Sequence, residues 1–474
     1  MPQNETLKRA GAWPRWQAVI VLLLLCFFMA APAAPERWAD LYAFYGKTMI
    51  FALVALFFYL RRWDYPWEIR LVALYAVWLA ATRFLNSDHY LIREPNLILT
   101  KFMLVPVISW AMLLDEKGRR RFMAVFSFVV GGFYMIGGLL ALYANLLDTY
   151  FYLPPENVLF GLDGPWHLHY INVFNTNRTI SAMWFYIALS LMVYQFFACK
   201  NKLWRVPICL AGLVHFLCIS LAFSRTVKLV TAISLVMLAM LLVLRYLPVK
   251  KIWLKAAALL LCLVLVLPLG LKSFDLSASL MSSLSAAMQT QAQKDESGTA
   301  AEEAAGVDLS DDRDLKKDIS NLSERGQIFR SVMPSLKLEP KRIFIGSFAD
   351  KLMTAPNKFV DFPIPFTHMH NFLLEVLMLT GVPGAILVVA FCIMLVLRML
   401  KIFFTEDERV SMAHKVLTIP LAGTLLYGMS EIVIFTSCAD RRAPTDIREL
   451  SFFILAGLLL AVSYDIFPPK KKHK

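Results

Sequence analysis

Residues 367–400 read THMHNFLLEVLMLTGVPGAILVVAFCIMLVLRML, and the change of character inside them governs how the rest of the chain is understood. A polar stretch bearing His368, His370 and Asn371 gives way to an apolar run. That run is long enough to cross a ~30 Å hydrocarbon core, which takes about 20 helical residues. Polar and ionisable groups at such a boundary are costly to hold and are functional suspects. Imidazole changes charge near neutral pH and can therefore carry a proton. Met369 turns the two histidines in different directions at a helix start, which argues against a chelating pair. His370 is the stronger candidate, as a base that takes a hydroxyl proton without a metal. Asn371 either caps the helix or orients the imidazole. Gly381-Val382-Pro383-Gly384 reads as a kink or packing device.

Outward from this stretch the apolar pattern repeats. The 474 residues are 58% hydrophobic and 18% charged, with mean hydropathy +0.58. A soluble chain of this composition would expose too much apolar surface. About twelve segments have spanning length, near 17–34, 41–60, 68–84, 95–115, 121–145, 179–198, 205–223, 226–246, 252–271, 371–400, 414–435 and 449–467. The expected fold is an all-α integral membrane protein. It has nine spans within 1–271, a large, mostly helical external loop or lid at 272–370, and three spans ahead of a basic tail within 371–474.

The net charge of +13 is unevenly placed. Lys8-Arg9, Arg61-Arg62, Lys117 with Arg119-Arg120-Arg121, Lys200 with Lys202 and Arg205, Lys250-Lys251, Arg398 with Lys401, and Lys470-Lys471-Lys472 alternate with loops poor in Lys and Arg. This is the positive-inside pattern, and it puts both termini in the cytoplasm. The basic balance thus reports topology and contact with anionic headgroups, with no call for nucleic acid as a partner. Residues 1–34 resemble a signal peptide, but Pro32 beside the small residues argues for a retained span. Cys26, Cys199, Cys209, Cys218, Cys262 and Cys392 lie in or beside spans and Cys438 in an external loop, so neither a disulfide framework nor a metal-ligand spacing follows. No nucleotide-binding glycine motif is present.

Two external segments stand out. The first, 146–178, is aromatic and polar, and its His167 and His169 read as interfacial surface residues. The second, 272–370, opens with a Ser-, Ala- and Gln-rich part that is helical or mobile. Its charged run at 311–318 reads as a solvated face, and Ser323–Arg330 has apolar residues at helical spacing. Cations at external span ends break the inside bias: Arg83, Lys101, Arg178, Arg225 after Ser224 in a very tight turn, and Lys228 one turn on. Arg83 and Lys101 are expected to snorkel to headgroups. Arg178 serves as a loop cation or a phosphate ligand. Arg225 has the stronger case, since guanidinium matches phosphate oxygens in pairs and Lys adds a point charge.

Three local patterns resemble the O-antigen ligase and polymerase superfamily of bacterial envelope enzymes. They are Ser224-Arg225 at a span start; Ser323-x-Arg325 followed by Ile345-Gly346; and His370-Asn371-x-x-Leu374-Glu375 followed by Gly381-x-Pro383-Gly384. The third is fairly specific as a set. The resemblance implies a GT-C-like helical fold in the bacterial inner membrane and a periplasmic, metal-independent glycosyl transfer without cofactor. It also implies an undecaprenyl pyrophosphate-linked polysaccharide donor and a lipid A-core acceptor. On that footing Arg225 and Arg325 grip the pyrophosphate, with Arg178 and Lys228 in support, and His370 is the base, with His368 and Asn371 beside it. The acid that ligases of this family often need near the outer end of the eleventh span is Glu431 or Asp440. Related activities are O-antigen polymerase and protein O-oligosaccharyltransferase. A lipid-linked sugar flippase is the non-enzymatic alternative, disfavoured because the cations cluster at one face.

Overall fold

A computed structural model describes residues 15–30, 66–85, 95–147, 151–153, 157–162, 171–173, 178–222, 224–246, 252–296, 340–346, 370–431, 434–435 and 447–468. Its helices are α1 (Arg15–Ala30), α2 (Trp67–Leu85), α3 (Pro95–Leu113), α4 (Glu116–Leu147), α5 (Arg178–Ala198), α6 (Arg205–Leu221), α7 (Arg225–Tyr246) and α8 (Ile252–Glu296). They continue with α9 (Pro340–Ile345), α10 (Phe372–Phe404), α11 (Met412–Val416), α12 (Thr418–Gly428) and α13 (Ile447–Ile466). Each predicted span overlaps a described helix except 41–60, which lies outside the described residues. Among the described residues six helices are long and apolar enough to cross a membrane: Glu116–Tyr143, Thr179–Ala198, Arg225–Tyr246, Trp253–Met288, Phe372–Phe404 and Ile447–Ile466.

Two features depart from the expectation, and the helix expected as one reading of the Ser- and Ala-rich start of the external segment is present. Strands β1 (Phe151–Leu153), β2 (Asn157–Leu162) and β3 (Ile171–Val173) form a small antiparallel sheet inside the segment read as an aromatic loop. Phe, Tyr, Val and Ile favour such pleated pairing. The Ser- and Ala-rich start of the external segment continues α8 without a break to Glu296. The eleventh span, expected to reach 435, ends as helix at Gly428, and the chain turns through Met429–Glu431. The apolar sequence at 432–435 hid that stop, because periodicity alone does not mark where a helix ends within an apolar run.

The described chain divides into two compact units, one made of Met1–Val125 with Ile319–Lys474, the other of Phe126–Asp318. In the first, α13 is buried on nearly every face, as a helix apolar all round should be. It runs beside α3 at close range: a Cβ on Gly457 would stand 2.5 Å from the Ile108 carbonyl oxygen. Such approach is what small residues permit between membrane helices. At one end of this unit Arg398 of α10 donates from Nε to Glu68 of α2 at 3.0 Å and from Nη2 to Tyr464 of α13 at 2.7 Å. The Tyr464 hydroxyl in turn donates to Glu68 at 2.9 Å. A cation legible as a topology signal therefore also ties three helices together.

In the second unit α5 packs on α6 and α7 on α8. The Tyr186 hydroxyl lies 2.8 Å from Ser234 Oγ, linking α5 to α7 at nearly equal distance from their first residues. Arg178 and Arg225 are the first residues of those two helices. Lys228 Nζ lies 3.7 Å from Asp275 Oδ1 of α8.

Candidate functional site

In the first unit, three successive contacts join the start of α10 to the end of α12. Phe372 packs over Gly428, where an added Cβ would meet its ring at 2.8 Å. Asn371 is extended and caps α10, its Oδ1 accepting from Leu373 N at 3.0 Å and Leu374 N at 3.1 Å. Its Nδ2 donates to the Met429 carbonyl at 2.9 Å, so one amide satisfies orphan helix donors and binds the two helices. His370 then places Nδ1 3.2 Å from Glu431 Oε2, with side chains 28% and 15% exposed. Glu431 is held by the turn in which its own N–H and that of Ser430 both donate to Tyr427 O at 3.0 Å. His370 has φ +49°, in the left-handed region that non-glycine residues seldom occupy.

The chemistry of this pair follows from its atoms. An ionised Glu431 accepts, so Nδ1 carries the proton and donates. The basic lone pair then resides on Nε2. A carboxylate behind an imidazole selects the tautomer and steadies the imidazolium that forms on protonation. A pair so arranged is chemically able to take a proton from a hydroxyl. Between the two acids left open by the sequence, Glu431 stands at the histidine and Asp440 lies outside the described residues. So do Arg325 and His368.

Two expectations are corrected. Lys101 does not snorkel: Nζ is paired with both oxygens of Glu449 at 2.6 and 2.7 Å, with side chains 2% and 0% exposed. Arg83 is also buried. A buried carboxylate on α13 draws Lys101 inward more strongly than a headgroup in water would, because desolvated opposite charges need each other. Glu449 was overlooked, although an acid within a predicted span is a signal in itself. In the second unit Ser224 is buried, Arg225 exposed and Lys228 half-buried. Among the described residues, no three His, Cys, Asp or Glu side chains converge as a metal-ligand set.

Loss of the Asn371 amide should be felt twice. Asn371→Ala removes a cap, for about 1 kcal/mol of stability. It also cuts the tie to Met429 and should lower activity beyond that stability cost, checked by thermal unfolding beside a turnover assay. Activity that falls only in proportion to folded protein would deny the second role.

A helical, multi-pass membrane protein with a carboxylate-oriented histidine at a helix start is the class these features define. Residues 208–389 match the family described as O-antigen ligase, which supports membership of the superfamily that the motifs resemble. The matched region contains Arg225, Lys228, Arg325 and His370, begins beyond Arg178 and ends before Glu431. A comparison with curated protein sequences returns no match.

Proposed function

We propose that this protein is an O-antigen ligase of the bacterial inner membrane. It moves a polysaccharide from undecaprenyl pyrophosphate to a hydroxyl of lipid A-core. The chain crosses the membrane about twelve times in a GT-C-like arrangement, with both termini cytoplasmic and the 272–370 segment periplasmic. The observation that carries this reading is the His370–Glu431 pair, 3.2 Å apart, whose histidine lies within the residues that match the family.

In the reaction, the acceptor hydroxyl oxygen attacks the anomeric carbon from the face opposite the pyrophosphate. His370 Nε2 takes the hydroxyl proton. The bond from the anomeric carbon to the pyrophosphate oxygen breaks, and its electron pair stays with the leaving diphosphate. One displacement inverts the anomeric configuration. Arg225 and Arg325, with Arg178 and Lys228, meet the negative charge that grows on the leaving group, so their grip strengthens in the transition state. Arg178 and Arg225 are the first residues of α5 and α7, two helices that pack on each other, which suits a shared anionic ligand. Their charge does the work without a metal.

Expression in a ligase-deleted host with a matched core tests this, with lipopolysaccharide resolved on a gel and carrier-linked polymer quantified in parallel. The wild-type chain should restore the ladder. Arg225→Ala should lose it while carrier-linked polymer accumulates. A well-inserted wild-type chain that restores no ladder but lengthens the carrier-linked polymer would be a polymerase instead.

A further inference from the structure

Gly346 and Gly381 have φ of +71° and +69°, both in the left-handed region. Gly346 ends α9, its N–H bonded to the Arg342 carbonyl at 2.8 Å, as a helix-terminating glycine does. Gly381 interrupts α10. The two glycines belong to one contact. A Cβ on Gly346 would stand 2.6 Å from the Leu379 carbonyl carbon and the Thr380 nitrogen, and one on Gly381 2.5 Å from the carbonyl carbon and oxygen of Phe344. Backbone meets backbone from both directions, so neither position has room for a side chain. A third element joins them: the Trp78 indole of α2 donates to the Thr380 carbonyl at 2.8 Å, beside the break in the helix. At Gly384 an added Cβ would come 3.1 Å from the Trp78 ring.

The break isolates Phe372–Thr380 as a short helical arm. Its far end is held by Asn371 on Met429, and His370 immediately precedes it. We propose that the Gly346–Gly381 contact, secured by Trp78, is a latch that sets the position of this arm and thereby of His370. Gly346, Gly381 and Trp78 are positioning residues for the base. Arg325 lies upstream of α9 in the sequence, so the latch also joins the chain that carries a proposed pyrophosphate ligand to the arm that carries the base. This inference rests on the reading of His370 as that base.

A methyl at either glycine must part the two backbones by about 1 Å to restore ordinary carbon contacts of ~3.5 Å. Displacement of that size at a reacting group costs on the order of 100-fold in rate. The test compares Gly346→Ala, Gly381→Ala, their double variant and Trp78→Phe with the parent and with Gly132→Ala, whose Cβ would meet nothing within 4 Å. Two readouts run together: polysaccharide transfer in lipid vesicles, and the rate of His370 modification by diethyl pyrocarbonate, followed by peptide mass spectrometry. Each glycine variant should lose about 100-fold in transfer. The double variant should be no worse than about threefold below the weaker single, since both disturb one contact. Trp78→Phe, which keeps an aromatic ring but removes the N–H donor, should lose less, and all should shift the His370 modification rate where Gly132→Ala does not. Transfer and modification both near parent values, or losses that multiply, would overturn the latch. If the parent itself transfers nothing, the ligase reading fails while the modification rates still decide the latch.

Discussion

Transfer by His370→Ala is expected to fall by about 100- to 10,000-fold, the range a positioned general base contributes. The protein should still insert and still bind its lipid-linked donor, because no donor-gripping cation is touched. The reason is local: His370 is the only imidazole the described residues place beside a carboxylate at hydrogen-bond range, at 3.2 Å from Glu431. Glu431→Ala should cost less. It leaves the imidazole in place but removes the group that selects its tautomer and steadies its protonated form. Combining both changes should add little to His370→Ala alone, as groups acting as one unit are not additive. Single-turnover transfer with purified protein measures this directly. Full activity in a well-inserted His370→Ala protein would remove the histidine from the mechanism, and multiplying losses in the double variant would separate Glu431 from it.

The second large effect concerns stability. Lys101→Ala leaves Glu449, which is fully buried, without the charge that both its oxygens contact at 2.6 and 2.7 Å. Breaking such a pair from one side costs roughly 3–5 kcal/mol, whereas replacing both members with apolar residues of similar volume is often near neutral. Thermal unfolding in detergent should show a large drop for Lys101→Ala and recovery in Lys101→Met with Glu449→Leu. A single variant as stable as the parent would mean that the pair contributes nothing. A double variant as unstable as the single would mean that Glu449 has another essential role.

The helices were legible because each answers to a local rule. An apolar run of spanning length becomes a helix whatever lies beside it, since backbone groups in hydrocarbon must bond within the segment. His370, Asn371 and the Gly381–Gly384 break were legible too, because polarity at a span boundary and glycine with proline inside a span are exceptions to that rule. The end of the eleventh span was not. Ile432, Val433, Ile434 and Phe435 continue the apolar pattern, and only packing shows the helix ending at Gly428 under Phe372. Lys101 misled for the same reason: its surroundings come from α13, almost 350 residues away in the chain.

By itself, then, the sequence determined that this is a helical membrane protein, where nearly all its described helices lie, and which short motifs carry polar chemistry. Those properties depend on neighbours along the chain. Tertiary structure alone decided which acid stands behind His370, that Lys101 is committed to Glu449, and that Gly346 and Gly381 close on each other. Each is a meeting of groups far apart in sequence, governed by desolvation and by the few ångströms that separate packed backbones. No local pattern of residues encodes those distances.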